Sequence, residues 1–121
     1  MAARVAVDYY LATARLIGDL VPGDPLTSLV FLTIVSRMFK ARAAKPGAGR
    51  RGTVTVYAVA KDLGLSYETV RRHVKRLVES GLCDRDVQGL RISAKIFARN
   101  DFQRAMGRNH ENLQALRRLI R

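Results

Sequence analysis

The chain has 121 residues, with 22 Lys and Arg against 10 Asp and Glu, and a formal net charge of +12. At 48% apolar residues it is too apolar for a disordered tail and long enough for one domain with a real core. The lone cysteine, Cys83, excludes an internal disulfide and any cysteine-based zinc pattern, and neither His73 nor His110 sits in a metal-ligand cluster.

No uninterrupted apolar run reaches the length of a membrane span. Residues 1–19 carry Asp8 and Asp19 and lack the basic start and apolar block of a signal peptide. These features predict a reduced, cytoplasmic protein with no cofactor. The charge is unevenly placed. Residues 1–39 balance three basic groups with three acidic ones. Residues 40–52 carry five basic groups and no acid, and residues 91–121 carry eight basic groups against two acidic ones. Such asymmetry suits one surface for phosphates and another for a further copy of the chain.

Residues 2–20 read as a helix. Val5, Tyr9, Ala12, Leu16 and Leu20 form one apolar line, and Val7, Tyr10, Ala14, Ile17 and Val21 form a second. A helix apolar on two sides needs two partners, either the domain core and a second subunit or a single domain that buries both sides. Asp24 then suits an N-cap and Pro25 a first helical position. The apolar residues between Leu26 and Phe39 surround their helix, which predicts a central place in the core over residues 25–40. The segment 40–52, rich in Gly and base, reads as a flexible loop. Alternation over Thr53–Val56 predicts a short strand.

The informative segment runs from Val56 to Ser93. Tyr57–Leu63 makes a short helix ended by Gly64, which reaches the left-handed conformation without steric cost. Ser66 caps a second helix, with Glu68 in the first turn where a carboxylate meets the positive end of the helix dipole. Val70, Val74, Leu77 and Val78 give its buried stripe. Gly81 follows its end. Leu82–Arg85, a turn over Asp86–Gly89, and Leu90–Ser93 read as a β-hairpin. Ala60 is small enough to let the second helix cross closely, and His73 and Cys83 read as packing residues.

Ala60, Gly64 and Val70, and the run LGLSYETVRRHVKRLVESGL from Leu63 to Leu82, resemble the winged helix-turn-helix domains of bacterial transcription regulators of the MarR, IclR and GntR kind. The resemblance implies a mainly α fold with a small β-hairpin wing. With the extra helices at both ends read from the residue pattern itself, the whole reads as a single domain, 1–121, made of an N-terminal helix within 1–23, a core over 24–93 and a C-terminal helical segment over 94–121. The resemblance implies a homodimeric regulator that binds double-stranded DNA, with the recognition helix 66–80 in the major groove and the wing 82–93 on the backbone or minor groove.

Carried over to this chain, Ser66, Tyr67, Thr69, Arg71 and Arg72 match groove-facing positions, and Lys75 and Arg76 match phosphate-proximal ones. Glu68 shares the first turn, and Arg85, Gln88 and Arg91 are the wing's polar contacts. Arginines near a helix start suit guanine edges or phosphates, and free N–H groups at the helix start suit a phosphate. The alternative is a winged-helix protein-interaction module without specific DNA binding. No arrangement of nucleophile, base and orienting group is present in the sequence, so it predicts no catalytic site. Any small-molecule effector would be sought between the N-terminal helix and the winged core. The last segment, 94–121, reads as helical with a break near Gly107 and Asn109.

Overall fold

The computed structural model describes residues 2–44 and 54–120. It is mainly helical with one small antiparallel hairpin. The helices are α1 (Ala2–Leu20), α2 (Pro25–Ala44), α3 (Val56–Leu63), α4 (Tyr67–Glu79), α5 (Ala94–Ala98) and α6 (Asn100–Leu119), with strands β1 (Asp84–Asp86) and β2 (Gly89–Arg91) between α4 and α5. Among the described residues no single helix is long and apolar enough to cross a membrane. The described residues gather into two compact units, one within residues 1–20 and 95–121 and the other within residues 21–94.

In the second unit, α2 packs on α3 and α4, α3 packs on α4, and β2 packs on α2. The expectation that α2 is enclosed on all sides is corrected. Thr27, Val30, Phe31, Ile34, Val35 and Met38 are buried at spacings of three and four, which is one helical stripe, while Leu29 and Phe39 on the other side are exposed. The helix is apolar beyond what its partners cover. It also runs to Ala44, so the first residues of the expected 40–52 loop are helical, and 45–52 lie outside the described residues.

The expected strand at 53–56 shrinks to one bridging residue, and Thr53 lies outside the described residues. Val54 pairs with Leu90 through both backbone groups, at 3.1 and 2.6 Å. Thr55 instead caps α3, its side chain accepting from the Ala58 N–H at 3.0 Å, so the helix starts at Val56 and ends the strand. The hairpin forms with shorter strands than expected. Asp86 pairs with Gly89, leaving Val87 and Gln88 as a two-residue loop. The Asp86 carboxylate accepts from the N–H groups of Gln88 and Gly89 at 2.8 and 3.2 Å, and this local turn takes Asp86 and Gly89 into the ladder. Leu90 and Ile92 are buried, and the Ile92 N–H donates to the Met38 sulfur at 3.3 Å.

In the first unit, α1 and α6 pair antiparallel. One groove brings Val5 and Tyr9 beside Leu116 and Leu119, and another brings Leu16 and Leu20 beside Ala105. The Thr13 hydroxyl joins the Asn109 side chain at 2.9 Å across this seam. That bond explains why no break occurs near Gly107 and Asn109. The Asn109 amide is engaged with a neighbouring helix rather than competing for its own backbone, and one interior glycine costs only about 1 kcal/mol. The break falls earlier, at Arg99, which is extended and precedes α6. The rings of Phe97 and Phe102 meet edge to face across it, 5.3 Å apart.

Candidate nucleic-acid interface

The candidate surface is set by how α3 hands the chain to α4. Gly64 adopts φ 67° and ψ 31°, and its N–H and that of Leu65 close the end of α3 on Ala60 and Lys61 carbonyls. Two residues later Ser66 is extended and caps α4, accepting from the Thr69 N–H at 3.2 Å and joining the Thr69 hydroxyl at 2.8 Å. Ala60 is buried, and α3 packs on α4. Val70, His73, Val74 and Leu77 turn inward and are buried. The pattern is 3.6-periodic, so the opposite side of α4 must carry Glu68, Arg72, Lys75 and Glu79 outward, and all four are exposed.

The predicted residues therefore share one helix face and its rims, but they are not chemically equal. Arg71 forks onto Glu68, with Nε and one terminal nitrogen donating to the two carboxylate oxygens at 3.0 and 2.6 Å. Those donated bonds hold the Glu68 carboxyl below its ordinary pKa and raise that of Arg71. Arg76 donates to Asp24 at 3.2 Å. Arg72 and Lys75 enter no ion pair among the described residues. Tyr67 is exposed at the N-terminal rim. Ser66 makes the cap expected of it, its hydroxyl engaged within the first turn by the N–H and hydroxyl of Thr69.

The wing is electrically balanced. Arg85 and Gln88 are exposed, but Arg91 leans to Asp86 at 3.9 Å, and Asp84 and Asp86 flank Arg85 on β1. Val87 stands fully exposed at the tip.

Sequence reasoning missed what anchors the face from behind. Asp24 caps α2, accepting from the Thr27 N–H at 3.0 Å and from its hydroxyl at 3.2 Å. The backbone N–H of Thr27, more than any other contact, lowers the Asp24 carboxyl pKa. The Thr27 hydroxyl also meets His73 Nδ1 at 2.8 Å. A hydroxyl has one proton, so when Thr27 donates to Asp24 the Nδ1–H of His73 donates to Thr27. His73, on the buried side of α4, is thus a polar clamp between α4 and the start of α2. Asp24 was legible as a cap, but its reach to Arg76, 52 positions away, was not. Arg37 and Asp62 similarly fork α2 to α3, at 2.5 and 2.8 Å.

Cys83 is buried, and burial pushes its thiol up to about 11, which makes it a poor nucleophile and metal ligand at neutral pH. Among the described residues no group of three or more His, Cys, Asp or Glu side chains could hold a metal ion. Comparison with protein-family models, with curated proteins and with solved structures finds no match in any of the three.

Proposed function

We propose that the chain is a winged helix-turn-helix regulator that binds double-stranded DNA as a homodimer, with α4 in the major groove and the hairpin against the backbone. The observation that carries this reading is the outward line of α4. A short helix braced from behind by His73, Thr27 and Asp24 presents Arg72 and Lys75, both outside any ion pair among the described residues, on a chain of net charge +12. A rigid helix of this length fits the major groove, and exposed cations at its surface release counterions from phosphate. Arg72 and Lys75 lead, Tyr67 and Thr69 sit at the entering end, and Arg71 reaches a base edge only on leaving Glu68. The balanced wing contributes position rather than affinity.

The second reading, a protein-interaction module, draws on one observation: half of the α4 cations, Arg71 and Arg76, are neutralised within the chain. Selection from a random duplex library separates the two. The expected result is binding at about 50 mM salt that weakens steeply towards about 200 mM, with enrichment of a two-fold symmetric site whose half-sites lie about 10 base pairs or a multiple apart. Undetectable binding at the lower salt overturns the proposal in favour of the interaction module.

A further inference from the structure

The α1 helix has three sides. One packs on α6. A second is an apolar stripe at spacings of three and four, formed by Ala3, Val7, Tyr10, Leu11, Ala14 and Gly18, and all six are exposed. Tyr10 is 71% exposed, Val7 56% and Leu11 49%. A Cβ built on Gly18 would meet nothing within 4 Å. No charged residue interrupts the stripe. The third side is a ribbon along one edge of it, Arg4, Asp8, Arg15 and Asp19, exposed and in no ion pair among the described residues.

The order of charge along that ribbon is plus, minus, plus, minus, with spacings of four, seven and four. The pattern is the exact negative of itself when read backwards. In an antiparallel helix pair related by a two-fold axis, each edge meets the same edge of its partner. Arg4 then lies opposite the second copy's Asp19 and Asp8 opposite its Arg15, twice over. The same operation runs the axis between Leu11 and Ala12, so Leu11 lies beside the axis and Val7 stands level with the gap between the second copy's Ala14 and Gly18, large against small. A parallel two-fold pair would instead set this ribbon against the opposite edge of the stripe, where Ala6, Thr13 and Ile17 offer no charge to answer it. An isologous two-fold interface demands such self-complementarity.

We propose that the stripe is covered by α1 of a second copy of this chain, in an antiparallel two-fold pair registered by Arg4–Asp19 and Asp8–Arg15 bridges. The inference rests on the two-copy part of the reading above and not on its duplex part. Its test contains no nucleic acid, so failure of one leaves the other standing.

The test is sedimentation equilibrium of the full chain. The wild type is expected to be a dimer. Asp8→Arg alone and Arg15→Asp alone each place like charges face to face at two symmetry-related points, and each weakens self-association by about tenfold or more. Combining both changes in one chain, or mixing the two single variants, restores opposite charges and restores the dimer, which also shows that the variants are folded. In a Cys83→Ala background, Val7→Cys chains mixed with Ala14→Cys chains form a disulfide under mild oxidation, since the register sets those positions only about 3 Å apart along the axis, whereas Val7→Cys chains alone do not, because it holds the two copies of Val7 roughly 13 Å apart. A monomeric wild type, a dimer indifferent to the charge reversals, or cross-linking of Val7→Cys to itself would each overturn the proposal.

Discussion

Replacing Arg72 and Lys75 together by Ala is the sharpest probe of the α4 surface. Four cations lie on this helix, and two are engaged within the chain: Arg71 by Glu68 and Arg76 by Asp24. The double substitution therefore removes the two that are free to meet phosphate. Each neutralised phosphate contributes about 0.9 to the slope of log affinity against log salt, so the slope falls in magnitude by about 1.8 per bound chain and about 3.6 for a two-fold complex. Over a fourfold rise in salt, from about 50 to about 200 mM, the wild type loses roughly 12-fold more affinity than the variant for one chain, or roughly 150-fold more for two. Fluorescence anisotropy of a labelled duplex across that range reads the slope, and circular dichroism verifies the helices. Arg76→Ala is the internal control, since Asp24 already neutralises it and its slope stays near that of the wild type. An unchanged slope in the double variant, or a drop of equal size in Arg76→Ala, refutes the assignment of Arg72 and Lys75 as the phosphate-facing pair.

Further predictions concern what holds the face in place. Thr27→Val leaves His73 buried without its oxygen partner and destabilises by about 1–3 kcal/mol in urea titration, while Thr27→Val with His73→Leu recovers most of that loss because both polar groups leave together. Gly64→Ala costs about 1–2 kcal/mol in thermal unfolding from backbone strain alone, since φ is 67° and nothing lies near the added Cβ, and Gly64→Asn costs less. Cys83 resists thiol reagents at pH 8 until the chain is unfolded. Its folded pKa of about 11 lies above the unfolded value, so above about pH 9 the unfolded chain holds fewer protons and stability falls by up to about 1.4 kcal/mol per pH unit until about pH 11. The carboxyls of Asp24, Asp62, Glu68 and Asp101 move the other way. Their lowered folded pKa values mean that their contribution is present above the unfolded carboxylate range and is lost as pH falls below it, which an acid titration of the far-ultraviolet signal follows.

The parts of the molecule legible in the sequence are those governed by neighbours along the chain. Gly64 and Ser66 mark the end of α3 and the start of α4 because a left-handed residue and a hydroxyl cap act within three or four positions. The stripe of Val70, Val74 and Leu77 declares which side of α4 is outward. Thr55 was misread because β-branching and capping both favour it, and the cap won. The break near Gly107 was expected from local cost, and a bond from Thr13, 96 positions away, overrides it. The same holds for the candidate surface. Its residues were readable, but the division of its cations into engaged and available ones was not, because it depends on Asp24 folding back against α4.

The short hairpin has a bearing on how the chain behaves at high concentration. Leu90, in the middle of β2, gives both its amide and its carbonyl to Val54, and β1 lines the other margin with Asp84, Arg85 and Asp86. Neither margin offers the uncharged row of open hydrogen-bonding groups on which a foreign strand would template. Stacking into fibrils through this sheet is thereby blocked on one side by a single bridging residue and on the other by alternating charge.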